Sequence, residues 1–132
     1  MISSYIDIMK ALSEPNRLRL VWLMSYIDQR ICVSEGMDVL GESHYNVSRH
    51  LKILLKAGIV SASREGKWVF YTLKTDDSEF YNQLLKTIQL IPSEEFKEEI
   101  KRCNLRLNMR KNGDCVIGQE NAEWLNIMDL NK

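Results

Sequence analysis

Apolar residues recur along this chain at helical spacing, broken near the middle by a stretch that reads as strand. Ile2, Tyr5, Ile6, Met9 and Leu12 lie three and four residues apart, which predicts a short first helix with one apolar face. Ser13-Glu14-Pro15 stops that helix and starts another, with Ser13 expected as N-cap and Pro15 in the first turn, where its missing N–H costs nothing. Leu18, Leu20, Val21, Leu23 and Met24 leave the second helix with hardly any polar face, so it should be nearly all buried. Ile31-Cys32 leads into a brief helix over roughly Val33 to Leu40, closed by Gly41. Ser43 then caps a helix that runs to about Lys56 and stops at Ala57-Gly58. On it Val47, Leu51, Leu54 and Leu55 are expected to point inward, with His44, Tyr45, Asn46, Ser48 and Arg49 on the outward or N-terminal side.

The strand-like stretch is Ile59 to Ser63 and Trp68 to Leu73, meeting at Glu65-Gly66 as a hairpin. Phe80, Leu84, Ile88 and Ile91 mark a further helix, which Pro92-Ser93 breaks. Phe96, Ile100, Cys103 and Leu107 mark one more, before Asn112-Gly113. Beyond it, Trp124, Leu125 and Ile127 show weak periodicity, as a loose tail or a short docked segment would. No internal repeat interrupts this order. The fold class that follows is mainly α with a small β-hairpin, a winged helix-turn-helix with a C-terminal helical and tail extension.

Composition changes the picture only locally. At 132 residues the chain is one compact domain, or a domain with a tail. It balances 18 basic against 18 acidic side chains, so overall charge gives no hint of nucleic acid. Between Ser43 and Lys74, however, Arg49, Lys52, Lys56, Arg64, Lys67 and Lys74 face only Glu65, a local excess of about +5 of the kind a DNA-binding surface carries. Glu94, Glu95, Glu98 and Glu99 read as a solvated helix face. No apolar run approaches the roughly 20 residues that span a bilayer, and the N-terminus lacks the pattern of a signal peptide. Cys32, Cys103 and Cys115 are an odd, widely spaced set, a poor disulfide framework that fits a reducing cytoplasm. There is no phosphate loop and no nucleophile beside an evident base, so enzyme chemistry is poorly supported.

A reading helix needs short or planar polar groups near its N-terminus to meet base edges, and cations to hold phosphates. His44, Tyr45, Asn46, Ser48 and Arg49 meet the first demand. Lys52, with Arg64 and Lys67 at the hairpin tip, meets the second, as does Lys56. Trp68, Phe70 and Tyr71 are expected to pack the sheet rather than stack on bases.

These residues also carry a resemblance. Ala11-Leu12-Ser13-Glu14-Pro15-Asn16-Arg17-Leu18-Arg19-Leu20, Val47-Ser48-Arg49-His50-Leu51-Lys52-Ile53-Leu54, Ala57-Gly58-Ile59-Val60 and Arg64-Glu65-Gly66-Lys67-Trp68-Val69-Phe70-Tyr71 resemble the arsenical-resistance repressor (ArsR) family over roughly residues 3 to 90. The resemblance implies a homodimeric repressor of double-stranded operator DNA, built by the first helix and the long helix after the wing, that lets go on binding a metal or metalloid. It divides the chain into residues 1–91, for DNA binding and dimerisation, and 92–132, a C-terminal helix and cysteine-bearing tail. Gly36 and Glu42 depart from the family pattern, standing where leucines are usual. A mid-helix glycine costs ~1 kcal/mol, so the helix around Gly36 is expected to be short, distorted or mobile.

Cys32 is expected at the N-terminus of that helix, where the dipole favours a thiolate. The resemblance implies a Cys-Val-Cys arsenic site here, but Ser34 replaces its second cysteine and Met37 stands in place of a further one. A trivalent arsenical wants two or three soft thiolates, so sulfur must come from elsewhere. Cys115, past Gly113, and Cys103 are the two candidate partners, joining Cys32 from the same or the other subunit; the apolar stripe that carries Cys103 favours a core role over a ligand role for it. The expected inducer is arsenite or antimonite, with no permanently bound cofactor. A thiol redox or persulfide switch, or a regulator with no small effector, are the alternatives on the same fold. His50 is expected to be structural. For a zinc or cobalt sensor the resemblance implies histidine with Asp or Glu on the helix around Phe80 to Ile91. This helix holds no histidine, which disfavours that reading, while Asp76, Asp77 and Glu79 leave it open.

Overall fold

The computed structural model describes residues 1–111 and 122–130. Its elements run α1 (Ile2–Leu12), α2 (Pro15–Ile27), β1 (Ile31–Cys32), α3 (Val33–Leu40), α4 (His44–Lys56), β2 (Val60–Glu65), β3 (Trp68–Leu73), α5 (Glu79–Gln89), a 3-10 turn (Ser93–Phe96), α6 (Lys97–Leu107) and α7 (Ala122–Leu130). The mainly helical architecture with one small sheet is the one expected. The sheet has three antiparallel strands in the order β1-β3-β2, with Glu65 opposite Trp68 at the hairpin tip and Cys32 opposite Phe70 at its base. The two-residue strand β1 is an addition to the sequence reading: too short to show alternation, it ties the start of α3 directly to the wing.

The core forms where the apolar faces of α2, α3 and α4 meet the base of the wing. Leu20, Val21, Val47, Leu51 and Leu54 are fully enclosed there, with Leu23, Met24, Ile59 and Val60 beside them. Tyr81 pins α5 to the wing base by donating its hydroxyl to the Ile59 carbonyl at 2.7 Å, and burial pushes this phenol up to about 12. The Trp22 indole donates to the Ile91 carbonyl at 3.0 Å and stacks on Phe96, so the break between α5 and α6 is fastened to α2.

Three expectations need correcting. Ser13 does not cap α2: its hydroxyl donates back to the Lys10 carbonyl at the end of α1, and the Glu14 carboxylate takes the N-cap role by accepting from the Arg17 amide at 2.9 Å. An ionised carboxylate at a helix N-terminus also meets the dipole favourably. Leu55 is not an inward residue but 40% exposed, because it lies one position past the stripe that Val47, Leu51 and Leu54 define. The helix bearing Gly36 is short, one of the alternatives expected, with eight residues, but it is regular rather than distorted and ends at Gly41 in the left-handed region. Gly36 is there for contact: a Cβ on it would lie 2.9 Å from Val47 Cγ1, so its absence lets α3 and α4 close on each other. The C-terminal segment, expected as a loose tail or a short docked piece, takes the docked form: it includes a helix, α7, whose buried Trp124 packs with Met109.

The most extensive packing beyond the core is α6 across α3. Arg102 and Arg106 lie four residues apart on one side of α6, and Arg110 follows in the turn after the helix. Arg102 Nε donates to the Val39 carbonyl at 2.7 Å and Arg106 Nε to Asp38 Oδ2 at 2.8 Å. Arg110 grips both oxygens of Glu35, from Nε at 2.6 Å and from an Nη at 2.7 Å.

Candidate nucleic-acid interface and thiol site

The N-terminus of α4 is set by Ser43, whose hydroxyl accepts from the Asn46 amide at 3.2 Å, the cap its sequence position predicts. The helical period of about 3.6 residues per turn then carries His44, Tyr45, Ser48, Arg49, Lys52 and Lys56 onto one open, outward surface. Tyr45 is 74% exposed on it. Asn46 is set apart from this group. Its amide is turned toward the helix-turn-helix corner and donates to Glu42 Oε2 at 3.1 Å, while Asn16 donates to Oε1 of the same carboxylate at 3.2 Å. These two amides hold the Glu42 carboxyl below its usual range, Asn46 most of all. Glu42, which stands in a leucine position of the family pattern, thereby links α2, the corner and α4 by polar contacts instead of packing.

His50 is buried on the opposite side of α4, as its structural reading requires, and its Nδ1 lies 3.3 Å from an Arg17 Nη. Burial lowers its pKa, so the neutral ring accepts at Nδ1 from the guanidinium.

At the wing tip Arg64 and Lys67 are exposed, flanking Gly66 at φ +61°. Lys67 Nζ lies 5.0 Å from the Trp68 ring centroid. Phe70 and Tyr71 are buried and Trp68 is half-buried, all three packing the sheet as expected. The acid at the tip, Glu65, is paired with Arg30, whose guanidinium also covers the Phe70 ring at 3.9 Å. Arg30 comes from the loop before β1, and sequence pattern alone had not connected it with the wing.

Cys32 is the N-cap residue of α3, in place of the usual serine or threonine. Its backbone amide donates to Glu35 Oε1 at 3.0 Å, closing a reciprocal capping box with the thiol. The thiol itself is buried, 3.2 Å from Ser34 Oγ, and packs with Phe70 and Trp68. It borders a cavity of about 440 Å³ whose other walls include Ser34, His44, Lys67 and Trp68. Cys32, His44 at the start of α4, and Lys67 and Trp68 of the wing therefore line one space. Cys103 lies in the main core, and burial pushes its pKa up to about 11, so it is a neutral thiol at physiological pH. Cys115 lies outside the described residues. Among the described residues, no three His, Cys, Asp or Glu side chains converge to hold a metal ion.

The model of the bacterial regulatory protein, arsR family, matches residues 14–62. A helix-turn-helix transcriptional regulator of Methanocaldococcus jannaschii is 40% identical over 70 residues, covering 53% of this chain and 78% of that protein. The chain belongs to the ArsR family. The arsenic resistance transcriptional regulator ArsR2 of Pseudomonas putida is 32% identical over 80 residues, covering 61% of this chain and 69% of the relative. Among solved structures, the transcriptional repressor BigR of Xylella fastidiosa superposes with a TM-score of 0.57 at 26% identity, covering 71% of this chain and 88% of that one. As an ArsR-family protein this chain is a DNA-binding transcriptional regulator with a winged helix-turn-helix, and not an enzyme. None of its described helices is long and apolar enough to cross a membrane.

The family match ends before Arg102, Arg106 and Arg110. Arg102, Arg106 and Arg110 carried a legible signal, their four-residue spacing, but their targets on α3 are more than sixty residues away and could not be paired without the fold.

Proposed function

We propose that this protein is a repressor that binds operator DNA as a homodimer in the cytoplasm and releases it when trivalent arsenic or antimony is captured by cysteine thiolates. In this reading His44, Tyr45, Ser48 and Arg49 face base edges and Lys52, Arg64 and Lys67 hold phosphates. Asn46 acts at the edge of this group through its contact with Glu42.

The observation that carries the reading is the shared cavity: Cys32, though buried, lines the same space as His44 and Lys67, two of the proposed DNA contacts. A metalloid bound at Cys32 displaces the side chains that would otherwise meet DNA. Cys115 is the proposed second sulfur. It stands five residues after Arg110, which is bound to the capping partner of Cys32. Five residues reach at most ~18 Å, enough for a sulfur from the same chain to meet Cys32. Cys103 is assigned to the core. The arsenic-resistance role named for the Pseudomonas relative supports the choice of inducer.

The proposed dimer rests on α1. Ile2, Tyr5, Ile6 and Met9 share one face and are between 44% and 76% exposed, with Tyr5 edge-on to Phe80 of α5 at 4.9 Å. A second copy covers that apolar face, and two-fold symmetry then presents two reading helices to half-sites about one DNA turn apart.

The test is a titration of arsenite into purified protein bound to operator DNA. Release that is lost in C32S and in C115S supports the reading. Release by peroxide or polysulfide alone, with a Cys–Cys bridge seen by mass spectrometry, replaces it with a redox switch.

A further inference from the structure

α3 is a helix with weak means of its own. It has eight residues, too few to be stable in isolation, and a glycine at its centre. Yet it is the element against which α4 is set, through the close approach of Gly36 to Val47. Any tilt of α3 moves the reading helix with it. What holds α3 along its length is α6 together with the turn that follows it, which carries Arg110. Arg110 takes Glu35 in its first turn, Arg106 takes Asp38, and Arg102 takes the Val39 carbonyl, one of the last four that a helix leaves without an internal partner. The first of these is bidentate and charge-assisted, the geometry that fixes orientation as well as distance.

We propose that Arg102, Arg106 and Arg110 are positioning residues for DNA reading: α6 is a brace that sets the pose of α3, and through it the presentation of α4. The inference rests on the proposed role of α4 as the reading helix. The arginines act through α3 and not on phosphates, because the side chains of Arg106 and Arg110 are only 1% and 7% exposed. Their charge is spent inside the fold. The brace also meets the thiol site, since Glu35 accepts from both Arg110 and the Cys32 amide. The N-terminal end of α3 is thus fixed jointly by the C-terminal extension and by the residue proposed to bind the inducer.

The test compares wild type with R110Q and with the double variant E35Q/R110Q, which removes both charges together and guards against misfolding from an unpaired Glu35. Operator affinity is measured across a salt series, and amide hydrogen exchange is mapped on the full chain. A positioning role predicts at least a tenfold loss of affinity, with the slope of log K against log salt unchanged, because no phosphate contact is removed. It also predicts faster exchange confined to Val33–Leu40, with α5 unaffected. K52Q serves as the contrast, with a slope smaller by about 0.9. Affinity within twofold of wild type in the folded double variant, a slope reduced like that of K52Q, or exchange raised equally in every helix would each overturn the brace. Failure of the wild-type protein to bind DNA at all would instead remove the reading helix.

Discussion

α1 and α3 are both short amphipathic helices, and the fold treats them in opposite ways. α1 buries only Ala11 outright and leaves Ile2, Tyr5, Ile6 and Met9 open to solvent. α3 is enclosed from Ser34 to Met37, capped at both ends, and bonded at three points to α6 and the turn that follows it. One is an apolar face awaiting a cover; the other has its polar groups matched within its own chain. Helical periodicity reports only that a face will be buried. It does not say whether the burying surface lies in the same molecule.

The contrast can be broken most severely at α3. R106M leaves Asp38 without the guanidinium that holds it, at a site where the Arg106 side chain is 1% exposed and the Asp38 side chain 9% exposed. Removing one partner of a buried ion pair costs about 3–5 kcal/mol, to be read by denaturant unfolding. G36V sets a side chain against Val47 and is expected to cost about 1–3 kcal/mol, with reduced operator affinity as α3 and α4 are pushed apart. At α1 the expectation reverses. I6E leaves the unfolding free energy of the monomer within about 0.5 kcal/mol of wild type but weakens self-association by about 2 kcal/mol, roughly 30-fold, measurable by sedimentation. If I6E destabilises the monomer as R106M does, the difference between the two helices is not one of inter- and intramolecular burial.

The smallest effect concerns pH. Burial lowers the pKa of His50 in the folded state below its ordinary value of 6.5, so the unfolded chain takes up a proton first as pH falls. The stability contributed by the neutral ring is fully present above about 6.5 and is lost as pH drops toward the lowered folded value. Melting temperature should therefore decline more steeply below neutrality in wild type than in H50Q; parallel curves would show that His50 is not responsible.

Much of this fold was legible because the signals are local. Ser43 before an amphipathic run, Gly41 and Gly58 after one, and Glu65-Gly66 between strands each act within a few residues. The outward set on α4 followed from the same spacing, apart from Asn46, whose amide found Glu42 one turn back. Contacts that depend on tertiary approach were not legible. Gly36 read as a weak point because propensity describes a helix alone, whereas its missing Cβ serves a neighbour. Ser13 lost the cap to Glu14 because two adjacent residues compete for one position and local pattern does not rank them. The thiols divide likewise: periodicity placed Cys103 in the core, while the cavity joining Cys32 to His44 and Lys67 required the wing to fold back over α3.

The arginine brace has a consequence for how such a protein can be taken apart or recombined. Glu35 and Asp38 lie inside the stretch of residues 14–62 that matches the family, whereas the cations that neutralise them lie beyond residue 100. A fragment or chimera that keeps the winged helix but exchanges the C-terminal extension inherits two carboxylates without their counter-charges. Exchange of that extension is therefore tolerated only with a matching change at both acids, and the reading module and its extension are constrained to vary as one unit.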